Sequence, residues 1–231
     1  MYSLTIEEAI KTVRKNLDEI GQNDSQMINL NDNDSENLDA TIKKTIAESI
    51  NTVHRIADIS LLDGESIDMD NPDGRELAID DFSIKDSVLS FSVSKEILRL
   101  VAFKASDSPF VLSEAVPEYS AEGRMQLNPY TRGTSDNPRL IILQGRNDDK
   151  MIFRYYSLSL NYSEPKDAVD RFEYIPYQKY DESATLYKVA YRLVDQVLDC
   201  LTGMVLAIYQ QTERSNYFLA KAGIEQTNNA Q

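Results

Sequence analysis

Apolar residues at Ile6, Ile10, Val13, Leu17 and Ile20 recur at intervals of four and three, the spacing that puts one stripe on one face of an α-helix. Thr5 and Glu8 stand ahead of it as a capping box, with Leu4 and Ala9 as a hydrophobic staple. Gly21 closes the run. The polar stretch 21–37, GQNDSQMINLNDNDSEN, predicts a surface loop. A second stripe, Leu38, Ile42, Ile46, Ile50, Val53 and Ala57, predicts a helix that starts after Asp34 or Ser35. Two amphipathic helices joined by a loop form a hairpin whose apolar faces need further cover.

Near residue 61 the period changes. DMDNPDGRE (68–76) has the chemistry of a turn, with Pro72 followed by Asp73 and Gly74. SVLSFSVS (87–94) sets Leu89, Phe91 and Val93 against Val88, Ser90 and Ser92, the alternation of a half-buried strand. ILRLVAFK fits a strand or a helical turn leading into one. RLIILQG and KMIFRYYSLSL flank RNDD and predict a hairpin, and RFEYIPY a last strand closed by Pro176. From Ser183 the pattern predicts helix again, with Leu186, Val189, Ala190, Leu193, Val194, Val197, Leu198, Leu201, Val205 and Ile208 on a wide stripe of about seven turns. Gly203 inside it marks a close approach or a kink. A short helix, SNYFLAKAG, and a frayed tail follow.

The expected fold is therefore α+β. Residues 1–60 form an N-terminal helical hairpin, 61–180 an inserted antiparallel β region, and 181–231 C-terminal helices packing on the N-terminal pair to complete a helical core.

Charge refines this picture. The net charge is −14, and residues 1–80 hold 18 acidic and 7 basic side chains against 20 and 17 in the remainder. Such a chain is repelled by phosphate backbones, which argues against tight nonspecific nucleic-acid binding by the molecule as a whole. The single cysteine, Cys200, lies in an apolar periodic segment and is read as a core thiol. The first residues lack the apolar run of a signal peptide, and no stretch reaches the roughly 18 apolar residues of a membrane span. The expectation is a soluble protein made in a reducing cytoplasm, with no membrane partner.

Reactive chemistry has little raw material. The lone histidine, His54, is read as a surface helix residue, and no nucleophile elbow, phosphate loop or zinc signature occurs. Asp32, Asp34 and Glu36 resemble the start of a calcium loop, but Lys43 stands where the closing glutamate belongs. Asp68, Asp70 and Asp73 are spaced irregularly. Both clusters are read as solvated turns. The pairs Asp80–Asp81 and Asp148–Asp149 are what any acidic chain contains. No catalytic residue, metal or cofactor is expected.

The second half instead interleaves Tyr119, Tyr130, Tyr155, Tyr156, Tyr162, Tyr174, Tyr177 and Tyr180 with Arg124, Arg132, Arg139, Arg146 and Arg154. Tyrosine and arginine are enriched where proteins meet. The same pair stacks on single-stranded nucleic acid, but the acidic balance favours a protein partner. NPYTRGTSDNPRL (128–140), an irregular arginine-bearing loop running into the apolar LIIL, fits a catalytic loop, a nucleic-acid loop or a subunit-contact loop.

The layout, with a terminal GMVLAIYQQTERSNYFLAKA, resembles the head-to-tail connector (adaptor) proteins of tailed bacteriophages. The pieces EILRLVAFK, NPYTRGTSDNPRLIIL and FRYYSLS together resemble ring proteins of the crAss-like phages. The resemblance implies a non-enzymatic virion protein of the neck or tail, made in the host bacterial cytoplasm. It implies a ring of about a dozen copies, held by complementary patches, between the portal protein and the next tail or ring protein. DNA would pass through the lumen without sequence-specific binding, past a wall whose like charge prevents capture. Tyr130 would anchor a clasp in which Arg132 and Arg139 meet a neighbour's carboxylates, with Tyr119 and Arg124 beside it. Two other readings stand beside this one. One is a monomeric module holding a glycan or peptide in a tyrosine-lined β groove. The other is a metal-dependent nuclease using the aspartate clusters.

Overall fold

A computed structural model describes residues 1–23, 32–63, 65–66, 79–86, 88–94, 97–106, 108–134, 136–144, 150–157 and 168–224. In chain order the elements are β1 (Tyr2–Thr5), α1 (Ile6–Asn23), α2 (Asp32–Ile56), β2 (Glu65–Ser66), β3 (Ile79–Lys85), β4 (Val88–Ser94), β5 (Ile97–Ala105), β6 (Val116–Pro117), α3 (Ala121–Met125), β7 (Arg139–Gln144), β8 (Lys150–Tyr156), β9 (Val169–Pro176), β10 (Leu186–Val189), α4 (Val194–Ile208) and α5 (Thr212–Lys221). The chain is α+β. It divides into two compact units: a helical one made of residues 1–63 and 177–231, and a β unit made of 64–176.

In the helical unit the predicted stripes become core. Leu4, Ala9, Val13, Leu38, Ile42, Ile46, Ile50 and Val53 are all buried. α4 packs against α1, α2 and α5, and Val197, Cys200, Leu201, Thr202 and Val205 on it are sealed from solvent. Burial, with the charge of Glu48 adding to it, holds the Cys200 thiol up at about 12, so the group stays neutral and inert. The Thr202 hydroxyl donates to the Leu198 carbonyl and accepts Asn16 Nδ2, which links α4 to α1. Lys221 and Asp199 join α5 to α4 at 2.9 Å, and that bond raises the lysine.

Gly203 marks a close approach and not a kink, since α4 runs through it unbroken. A Cβ there would lie 2.8 Å from Leu219 Cγ and 3.1 Å from the Leu219 backbone nitrogen on α5. Gly203→Ala is therefore expected to lose about 1–3 kcal/mol through overpacking, read as a lower urea midpoint with an unchanged m-value.

Several expectations are corrected. α1 continues through Gly21 to Asn23, and α2 begins at Asp32. Residues 183–193 are not helix. Leu186–Val189 pairs antiparallel with Tyr2–Thr5, and a short 3-10 turn (Tyr191–Leu193) precedes α4. Tyr187 and Val189 point inward while Leu186 is exposed, a period of two that the helical spacing of Leu186 and Val189 concealed. The capping box is half made. Glu8 N–H donates to Thr5 Oγ1, but the Glu8 carboxylate accepts the Tyr2 hydroxyl at 2.9 and 3.0 Å, which holds that phenol up.

His54, expected on the surface, is fully buried. Its Nε2 accepts the Ala190 N–H at 3.1 Å, and burial pushes its pKa down to about 4. Three residues earlier on α2, buried Asn51 makes a reciprocal pair with the Gln178 backbone, at 2.8 Å to its carbonyl and 2.9 Å from its N–H. Asp63 accepts the Tyr191 N–H at 3.1 Å. The chain that re-enters the helical unit is thus tied to polar groups on and just after α2.

The β unit is a sandwich. One sheet has the order β3-β4-β8-β7-β6 and the other β2-β9-β5. Leu89, Phe91, Val93, Leu140, Phe153 and Tyr155 from the first meet Leu100, Phe103, Val169, Phe172 and Tyr174 from the second. Among the described residues every strand pair of this unit is antiparallel except β6 with β7. The predicted hairpin is β7–β8, in the register Leu140↔Tyr155 and Ile142↔Phe153. ILRLVAFK is strand throughout. Among the described residues no helix is long and apolar enough to cross a membrane.

Candidate subunit-contact surface

The outer face of the five-stranded sheet carries the residues that alternate with the core: Val88 and Ser90 on β4, Arg154 and Tyr156 on β8, Arg139 and Ile141 on β7. Ile141 and Tyr156 are nevertheless almost fully buried, so this face is covered. The cover is the segment between β6 and β7, which holds the loop 128–140.

That segment is irregular but tightly bonded. Glu118 N–H donates to the Ile142 carbonyl, which continues the parallel β6 edge. The Ser120 hydroxyl accepts Gly123 N–H and donates to the Pro117 carbonyl, capping α3. A Cβ on Gly123 would lie 2.7 Å from the Glu118 carbonyl oxygen, which explains a glycine inside so short a helix. Buried Gln126 then reaches forward, its Oε1 accepting Gly133 N–H at 2.6 Å and its Nε2 donating to the Glu122 carbonyl. Gly133 lies where a Cβ would be 2.5 Å from the Tyr156 carbonyl oxygen, so only glycine lets the loop settle on β8. Asn128 Oδ1 accepts Tyr130 N–H, and the Thr131 hydroxyl donates to the Met125 carbonyl at 2.6 Å. Thr134 and Asn137 exchange both backbone bonds before β7 begins.

The result is a well-braced platform with an apolar crest. Tyr119 (69 % exposed), Met125 (52 %), Leu127 (61 %) and Tyr130 (96 %) all project from residues 119–130. Because the backbone beneath these side chains is already bonded, contact would cost side-chain freedom but little backbone freedom.

The candidate residues divide by role. Tyr119 and Tyr130 are on the crest, and Arg124 is exposed in the last turn of α3. Arg139 is engaged within its own chain, with Nε 2.5 Å from Glu122 and Nη1 on Asn137 and the Pro138 carbonyl. Arg132 reaches from the loop to the Asp86 carbonyl at the β3–β4 turn. These two arginines brace the loop, so the free anchors are the aromatic side chains. Tyr155, Tyr156 and Tyr174 are buried, and Tyr177 and Tyr180 belong to the helical unit. Tyr162, Arg146, Asp68, Asp70, Asp73 and the Asp148–Asp149 pair lie outside the described residues, and Asp80 and Asp81 fall on β3. Asp32, Asp34 and Glu36, expected in a solvated turn, instead lie in the opening turns of α2. Among the described residues no group of three His, Cys, Asp or Glu is placed to hold a metal ion.

A feature the sequence did not disclose lies beside the platform. Between it and the β3–β4 hairpin is a cleft of about 370 Å³, lined by Ser83, Lys85, Ser90, Leu127, Arg132 and Arg154 among others. Ser83, Ser90 and Arg154 are register partners across β3, β4 and β8, so their side chains form one row. The serines alternating with Leu89, Phe91 and Val93 are the one signal of it in the sequence. No protein-family model matches the chain, and no curated protein sequence is similar to it.

Proposed function

We propose that this chain is a structural protein of a phage virion: a subunit of a head-to-tail connector ring, joining the portal to the next tail component around a lumen for DNA. Tyr130, 96 % exposed on a loop braced by hydrogen bonds of Asn128, Thr131 and Gly133, is the observation that carries the reading. A side chain presented in this way serves contact with another protein surface, and the buried anchors of such contacts are each worth about 2 kcal/mol or more. The resemblance of the central segments to ring proteins of crAss-like phages adds the direction. The net charge of −14 suits a wall past which DNA slides.

The test is electron microscopy and native mass measurement of the purified protein, alone and with a portal protein. Closed rings are the expected result. Replacing Tyr119 and Tyr130 by alanine is expected to cut the assembled fraction by about tenfold or more while leaving circular dichroism unchanged. Single subunits in both conditions for the unaltered chain, portal present, would remove the proposal.

A further inference from the structure

We infer that the cleft beside the platform receives a carboxylate-bearing segment of a second copy of this chain. The inference rests on the ring reading and names the contact that reading leaves open. Lys85, Arg132 and Arg154 all line the cleft, and Asp86 is the one acid among its described lining residues. Arg132 holds the Asp86 carbonyl through Nη1, while its Nε is shut off from water with no bonding partner among the described residues. Arg154 approaches Glu118 only at 3.9 Å and leaves 39 % of its side chain exposed, so most of its donors remain available. Ser83 and Ser90 add two hydroxyl donors along the same row. Guanidinium forks, an ammonium and hydroxyls converging on one hollow form a receptor for carboxylate oxygens.

Charge decides which anion. The β unit as a whole has 20 acidic and 13 basic residues, a net charge of −7. A nucleic-acid strand, negative along its whole length, meets that surplus wherever it extends beyond the cleft. A short acidic segment places its charge only in the hollow, and beyond about 8 Å the rest of the surface is screened. Exposed Leu127 and half-buried Val88 on the cleft wall suit the aliphatic stem of a glutamate better than a phosphate. The chain supplies such carboxylates itself: its helical unit has 18 acidic and 11 basic residues, with Glu7, Glu48, Glu182 and Asp195 exposed.

The test compares the unaltered chain with Lys85→Glu/Arg154→Glu and with the neutral Lys85→Gln/Arg154→Gln. Assembly is measured by native mass and electron microscopy with portal present, thermal unfolding controls for folding, and hexaglutamate, inorganic phosphate and a single-stranded oligonucleotide serve as titrants. The reversed variant is expected to unfold at the unaltered temperature, to lose assembly at least tenfold and to lose hexaglutamate binding. The neutral variant should fall between, and added salt should weaken assembly of the unaltered chain. If the reversed variant assembles as well as the unaltered chain, the cleft inference is overturned and the ring reading stands. If the unaltered chain never assembles, the ring reading and the second copy fall together. Tighter binding of the oligonucleotide than of hexaglutamate, abolished in the reversed variant, would overturn the inference in favour of nucleic acid.

Discussion

Phe172→Ala is expected to destabilise the β unit by about 4 kcal/mol. Phe172 is 1 % exposed and stands edge-on to three rings at once: Phe91 at 5.8 Å, Phe153 at 5.6 Å and Phe103 at 6.4 Å, with interplanar angles of 83–84°. Phe91 in turn stacks on Phe153 within its own sheet and on Phe103 across the sandwich. Phe172 therefore closes an aromatic cluster that both sheets share. Its removal forfeits the transfer free energy of a buried ring, leaves a cavity the stacked neighbours cannot fill, and cancels edge-to-face contacts worth about 0.5–1.5 kcal/mol each. Phe172→Leu keeps much of the volume and should lose less than half as much. Urea unfolding followed by the near-ultraviolet signal of the tyrosines is the measurement. A loss below about 1 kcal/mol would mean that the two sheets do not meet at this ring.

Acid is expected to weaken the helical unit through His54, by about 3 kcal/mol as the pH falls from 6.5 to about 4. The sign follows from the geometry. The folded state needs the neutral ring, because Nε2 accepts the Ala190 N–H, and burial lowers the folded pKa to about 4 against an ordinary 6.5. Above 6.5 both states hold a neutral ring and nothing is lost. Below it the unfolded chain takes up a proton that the folded chain refuses, so stability drops until the folded ring also titrates. Many carboxylates titrate over the same range, so the informative quantity is a difference. His54→Gln offers an amide oxygen to Ala190 and has no such proton to take up. Urea midpoints of both proteins, followed at 222 nm at pH 7 and pH 4.5, should converge at the lower pH. Parallel loss in the two would show that the ring is not the acid-sensitive group.

Helical spacing made α1, α2 and α4 legible because each carries a stripe that some other surface must cover. The β7–β8 hairpin was legible because alternation and turn chemistry agreed, and β4 because its apolar residues alternate; its partner β3 carried no such signal. His54 falls at intervals of four with Ile42, Ile46 and Ile50, the spacing of a buried stripe, while its polarity suggests a surface position; a buried acceptor there only makes sense with the Ala190 N–H opposite. The strand 186–189 was hidden by a coincidence of spacing, and its partner β1 lies at the other end of the sequence. The 128–140 loop was singled out correctly as unusual, but the roles of its arginines depend on Glu122 and Asp86, which no local pattern connects to them. The cleft depends on register across three strands, the kind of proximity a sequence does not display.

The lone thiol of Cys200 gives the helical unit a built-in clock. It is the only sulfhydryl in the chain, it lies against α1, α2 and α5 through α4, and burial keeps it protonated far above neutral pH. An aromatic disulfide reagent can reach it only in molecules whose helices have come apart, so the labelling rate counts openings of that unit.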